Sequence, residues 1–340
     1  MIEIKELNSD NALKLPLSFN ETEITNPFTI RANLKWVQPF GMLLTSKVIR
    51  DFRHSHPEIS FNLEYNDSTA GHSYACHMGF YKSISDKLEI GKKPGEASGS
   101  NTYLPITELD LLKLHQEGIK QGNYYELGET IEKEASKLSK ILAKSNVEFH
   151  KLLTYLIREI LRNIPEHSES NTAWICGQNW SDGSAEIAII DDGMGVKSSL
   201  LKNRIHSKYI LNDQDALECA LKPGISKAFA PEKGNKSNDV WSNSGFGLYM
   251  VSEICIRLGG SFNLVSGERF VKIDNSGKIE VGETSIAGTA IKINLNSSNL
   301  NISSQKFIAQ VAKDGEERAK QIKNAFREAS MPSKGLIEQL

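Results

Sequence analysis

No run of about eighteen apolar residues occurs anywhere in the chain, so no bilayer-spanning helix is expected. Cysteine is scarce. Its four copies, Cys76, Cys176, Cys219 and Cys255, are far apart and form no CxxC pair. That excludes the usual structural zinc patterns and predicts a reduced, cytoplasmic chain. An excess of one charge is also missing. Forty Lys and Arg stand against 42 Asp and Glu, a net charge of -2, without the basic surplus typical of nucleic-acid proteins. The opening MIEIKELNSDNALKL lacks a basic segment followed by an apolar core, so no secretory signal is expected. Internal repeats are absent. No heptad run is present to decide between a monomer and a homodimer. What remains is an ordinary soluble composition, 39% hydrophobic and 24% charged, in 340 residues, enough for two domains.

The chain divides near residue 100, at the Gly-, Ser-, Lys- and Pro-rich stretch GKKPGEASGSNTYLP (91–105). Before it, residues 28–34 and 61–65 alternate like half-buried strands, and 42–52 has helical spacing. This predicts a small α/β domain over 1–100. His54, Glu58, His72 and His77 within it lack useful ligand spacing. Residues 101–144 are charged and mostly helical in pattern, and predict a helical connector. From 145 to 298 the pattern is a helix (147–163), two strands (173–180 and 184–191), a long polar stretch to about 243, a helix (246–258) and four strands (261–267, 269–274, 278–281 and 289–295). Residues 299–340 predict a helical tail. The fold class expected is therefore α/β (α+β).

Four short motifs fall in the 145–298 region. Glu159 and Asn163 stand one turn apart on a helix, on a face offset from its apolar stripe. IIDDGMGV ends a strand at Asp191 and continues through Asp192, Gly193, Met194 and Gly195. Ser244-Gly245-Phe246-Gly247-Leu248 opens a helix, whose free N–H groups and dipole suit phosphate. Gly288-Thr289 opens the last strand. Each motif alone has an ordinary explanation: an exposed polar pair, an Asp-Gly turn, a glycine-rich helix start.

In this order the four resemble the GHKL superfamily of gyrase, Hsp-type chaperones, histidine kinases and mismatch-repair ATPases. The resemblance covers about residues 145–295. It implies the Bergerat fold, a mixed sheet with helices on one face, binding ATP and magnesium. By position, Asn163 resembles the magnesium ligand, and Glu159 the carboxylate that in the hydrolysing members activates the attacking water as general base. Asp191 resembles the residue that accepts from the adenine amino group. Gly193 and Gly195 follow where the nucleotide lies against the backbone. Gly245, Phe246, Gly247 and Leu248 resemble the phosphate-side turn, and Thr289 the threonine beside the aspartate. Residues from about 200 to 243, with Lys227, Lys233 and Lys236, resemble the ATP lid. The segments NLKWVQPFG and HMGFYKSI resemble STAS-like regulatory modules.

Three features depart from the family pattern. Pro165 follows Asn163 by two residues and is expected to end or kink the helix there, and His167 beyond it reads as an ordinary helix-end polar group. Only 45 residues follow Leu295, too few for the added domain that supplies a lysine to the γ-phosphate in gyrase-type members. Neither His115 nor His150 stands in the context of a kinase phosphoacceptor. Two functions therefore stay open. One is a slow ATPase or protein-directed regulatory kinase. The other is a nucleotide-gated module that binds a protein partner through the lid or the N-terminal domain. Neither involves a membrane or nucleic acid.

Overall fold

The computed structural model describes residues 1–100, 102–120, 122, 126–226, 244–330 and 332–334. Its first sheet is built on alternation. Strand β1 (Ile2–Leu7) buries Ile2, Ile4 and Leu7 and exposes Glu3 and Lys5. Helix α1 (Ser9–Glu21) follows, its start capped by the Asn8 side chain, which accepts from the Asn11 N–H at 2.9 Å. Then come β2 (Phe28–Val37), α2 (Pro39–Ser55) and β3 (Phe61–Tyr65). The three strands pair in parallel in the order β1-β2-β3. Parallel pairing requires crossovers, and α1 and α2 supply them. Helix α3 (Ala70–Met78) ends at Gly79, whose φ of 89° turns the chain into the short α4 (Phe80–Ile84). Neither β1 nor α1 was anticipated from the sequence.

The second sheet begins inside the segment expected to be a helical connector. Strand β4 (Tyr103–Asp110) pairs antiparallel with β5 (Thr172–Asn179). Pro105 breaks its alternation, and the register shifts between Leu104 and Thr107. An edge strand tolerates such a proline, and β4 is at the edge. Helices α5 (Leu111–Lys120), α6 (Leu127–Leu142) and α7 (Val147–Asn163) separate the two strands. After β6 (Ser184–Asp191) come α8 (Gly195–Leu201), α9 (Asp213–Ala220), α10 (Gly247–Arg257), β7 (Ser261–Ile273), β8 (Ile279–Asn296) and α11 (Ser304–Ala319).

The sheet order is β4-β5-β6-β8-β7, and every pairing is antiparallel, so the expected mixed sheet is corrected in that respect. The four short strands expected after residue 260 are two long ones. A bulge at Gly267, with φ of 64°, lets β7 continue where the sequence reads as a break.

Strand β6 is apolar without alternation because both its faces are covered. Ala185, Ile187 and Ile189 join the core shared with α7 and α10, while Ala188 and Ile190 join the core of the N-terminal unit. Helices were expected on one face of this sheet only. The structure corrects this: α1 and α2 lie against the other face and share a core with Trp174, Cys176 and Val265. Position explains why α2 buries Thr45, Ser46 and Lys47 along with its apolar residues. Polar bonds fasten the two units. Asn263 Nδ2 donates to Ser9 Oγ at 2.7 Å, and Thr284 Oγ1 donates to the Leu13 carbonyl at 2.8 Å. Gln38, the cap residue of α2, makes no side-chain cap bond. The fully buried Glu186 of β6 caps the helix instead, its Oε1 accepting from the Phe40 N–H at 2.9 Å and its Oε2 lying 3.3 Å from Lys292 Nζ.

The C-terminal segment runs back across the molecule after α11, which packs on α10 with Gly315 against the Tyr249 ring. The Phe326 N–H donates to the Gly224 carbonyl, and the Ser330 N–H to Ser244 Oγ at 2.8 Å. The Tyr155 hydroxyl donates to the Ser333 carbonyl at 2.8 Å. Among the described residues, no helix is long and apolar enough to cross a membrane.

Candidate nucleotide-binding site

Helix α7 begins at the Asn146 cap, which accepts from the Phe149 N–H at 2.9 Å. It ends at Asn163, and a π-type turn over Ile164–Ser168 takes over, with Pro165 in its first turn where no N–H is needed. This wide turn abuts the loop after β6. The Met194 N–H donates to the Ser168 carbonyl at 2.9 Å, and a Cβ on Gly193 would stand 2.4 Å from Ser168 Cβ.

A cavity of about 90 Å³ opens between α7, α8, the start of α10 and the ends of β6 and β8. Seven of the expected residues line it: Asn163, Asp191, Gly195, Gly245, Gly247, Leu248 and Thr289. Its apolar walls include Ile164, Ile189, Leu200 and Ile291, surfaces suited to a flat, weakly polar ring. Asp191 and Thr289 are register partners across β6 and β8, which brings the two side chains together.

Asp191 is buried at the cavity wall. Its Oδ1 accepts from the Gly193 N–H at 2.8 Å, closing an Asx-type turn. Burial pushes its carboxyl up to about 6, a rise to which neighbouring Asp192 adds and which the Gly193 N–H, the Ser168 hydroxyl and Lys47 only partly offset. The carboxylate therefore sits where a further hydrogen-bond donor stabilises it. Asp192 points the other way. Its Oδ1 is 2.5 Å from Lys47 Nζ and its Oδ2 is 3.6 Å from Arg50 Nη2, both on α2.

The glycines hold the loops together as well as leaving room. Gly288 has φ of 78°, and a Cβ there would stand 2.1 Å from the Asp191 carbonyl oxygen. Gly288→Ala is expected to cost about 2 kcal/mol, from a left-handed backbone and forced displacement of the β6 end. Urea denaturation checks it, and an unchanged midpoint would refute the packing argument. Gly195, with φ of 78°, faces Ser266, whose hydroxyl donates to the Gly288 carbonyl and accepts from the Val196 N–H. Gly245, with φ of 73°, would drive a Cβ to 2.3 Å from the Ile225 carbonyl oxygen.

Three expected residues are not on the cavity wall. Phe246 is fully buried, edge-on to Tyr249, because its side chain anchors the start of α10 in the core. Gly193 faces Ser168 and shapes the loop from behind. Glu159 is also buried. Its Oε1 accepts from Arg158 Nη2 at 2.8 Å and Nε at 3.2 Å, with Arg162 Nη1 at 4.0 Å. Its Oε2 lies 3.5 Å from Ser333 Oγ. A Cβ on Gly247 would be 3.0 Å from that same oxygen and 3.9 Å from the Asn163 amide, so the start of α10 abuts both residues.

The polar stretch expected as a lid is partly helical: it begins at the end of α8, and a 3-10 turn (His206–Tyr209) and α9 lie in its described part. Lys227, Lys233 and Lys236 lie outside the described residues. His167 lines the cavity, in company that the helix-end reading had not assigned to it. Ser168 and Lys47 escaped sequence reasoning. Neither belongs to a periodic pattern, and each acts across a contact distant in sequence. Among the described residues, no group of three or more His, Cys, Asp or Glu side chains could hold a metal ion. A small divalent ion that keeps most of its ligands from water and phosphate needs only an oxygen such as that of Asn163. Compared with protein-family models and with curated proteins, the chain matches none.

Proposed function

We propose that this chain is a cytoplasmic, magnesium-dependent ATP-binding protein of the GHKL type that acts as a slow ATPase or a protein-directed regulatory kinase. The observation that carries the reading is Asp191, a buried carboxylate on an apolar cavity wall, register-paired with Thr289. Its remaining lone pairs suit an exocyclic amino group, and the isoleucine walls suit the faces of a purine. The start of α10, with Gly245 and Gly247 on the cavity wall, offers backbone N–H groups for phosphate. The Asn163 amide lies within reach of that helix start and would hold magnesium, which neutralises phosphate charge when bound. Glu159 would take a proton from the attacking nucleophile. Because an ionised Asp191 accepts from the base more strongly than its protonated form, nucleotide affinity is expected to fall as pH drops through about 6.

A second reading, a nucleotide-gated protein-binding module, is favoured by Asp192. The residue next to the base-reading carboxylate is tied to Lys47 and Arg50 of the N-terminal unit. In that reading the partner docks on the N-terminal unit and turnover is incidental. Calorimetric titration of a non-hydrolysable ATP analogue with magnesium tests the common core of both. Wild type is expected to bind and Asp191→Asn to lose at least tenfold in affinity. No binding by the wild type would overturn both.

A further inference from the structure

The Glu159 carboxylate has three neighbours that no reading of motif order connects. One oxygen is held by Arg158 through two contacts, at 2.8 and 3.2 Å. The other faces the start of α10 at Gly247. The hydroxyl of Ser333, 174 residues later in the chain, lies 3.5 Å from that second oxygen. Nucleophile, base and orienting group thus stand in the arrangement that activates hydroxyl nucleophiles, with the nucleophile–base distance at the loose end usual before a ligand binds. The placement is built. The Ser333 carbonyl accepts from the buried Tyr155 hydroxyl, and its Oγ is 3.1 Å from Ser330 Oγ. The Ser330 N–H in turn binds Ser244 Oγ, beside the glycine turn. Ser333 is buried at that position.

We propose that Ser333 is the acceptor of the γ-phosphoryl group, so that the chain phosphorylates its own C-terminal segment. This rests on the nucleotide reading above. In the step, Ser333 Oγ forms a bond to the γ-phosphorus as the bond from that phosphorus to the β,γ-bridging oxygen breaks. ADP leaves, and the hydroxyl proton passes to Glu159 Oε2. Once Glu159 has released that proton to solvent, the phosphoserine and the carboxylate are two anions in a buried place, so the modified segment is driven out of its seat. The product of the reaction is then a chain with an uncovered Glu159 and a charged, displaced tail.

The test uses the full chain with magnesium and γ-labelled ATP, peptide mapping of the label, and parallel binding of a non-hydrolysable analogue. Label on Ser333 is expected, at a rate per chain independent of protein concentration. Ser333→Ala should lose the label and keep analogue binding. Glu159→Gln should slow labelling by about 10²- to 10⁴-fold, the usual contribution of a general base, and also keep analogue binding. Asp191→Asn should lose both. Analogue binding with no phosphate on Ser333 overturns the proposal and leaves the nucleotide site standing. Failure of the wild type to bind the analogue overturns the nucleotide reading and this proposal with it.

Discussion

Replacing Asp191 by asparagine is expected to stabilise the ligand-free protein while it abolishes nucleotide binding. The carboxyl titrates near 3.8 in the unfolded chain and is raised to about 6 in the folded one, mainly by burial. Between those values the folded state holds the extra proton, so this group's contribution to stability is present in acid and is lost as pH rises past about 6. Keeping the buried carboxylate ionised at pH 7 costs about 3 kcal/mol. Asparagine removes the charge and keeps an oxygen to accept the Gly193 N–H. Allowing for its new amide donors, the gain is about 2 kcal/mol, or a rise of several degrees in Tm for a chain of this size. The same comparison below pH 4 should show almost no difference, because the wild-type carboxyl is then protonated. A variant that is less stable at pH 7 would refute the electrostatic account. The trade of stability for a ligand-ready charge is what a binding site, rather than a structural turn, would show.

The largest loss of stability is expected at Glu186. Glu186→Ala removes the cap from α2, leaving the Phe40 N–H without an acceptor, and deprives the mostly buried Lys292 of its anion. Breaking a buried pair from one side costs about 3–5 kcal/mol, and an orphaned backbone donor lies within that range of effects. Glu186→Gln keeps an acceptor for Phe40 and loses only the charge pairing, so it should cost less than half as much. Urea denaturation read by tryptophan fluorescence and by circular dichroism distinguishes the cases. Because Glu186 joins the two units, both probes should shift together. A transition that splits, with only one probe moved, would mean that the N-terminal unit unfolds on its own.

The sequence was most legible where one strand or helix carries its own periodicity. The α7 stripe, the β6 run and the strand-and-helix rhythm of 28–65 were all readable, and so was the clustering of Asn163, Asp191, Gly245, Gly247 and Thr289. What escaped has a common physical origin. Strand β4 is interrupted by Pro105, which an edge position forgives and an alternation pattern does not. Lys47 stands in a stretch whose helical spacing assigns it no role, yet α2 lies between two sheets and its ammonium meets Asp192 from a segment 145 residues away. The all-antiparallel order follows from strand pairings, which no local pattern encodes. The return of the tail to Glu159 depends on Tyr155, Ser244 and Gly224, residues with no shared spacing.

The two carboxylates at the end of β6 face opposite clients, and that geometry has a thermodynamic consequence. Asp191 sits on the cavity wall and Asp192 holds Lys47 and Arg50 of α2. A displacement of α2 that pulled on Asp192 would act one peptide unit away from Asp191. On the proposed nucleotide reading, a ligand of the N-terminal unit that shifts α2 is expected to change nucleotide affinity by some factor. Linkage then requires the nucleotide to change that ligand's affinity by the same factor. On that reading the coupling works in both directions: a partner on the N-terminal unit would read the nucleotide state, and the nucleotide site would read the partner.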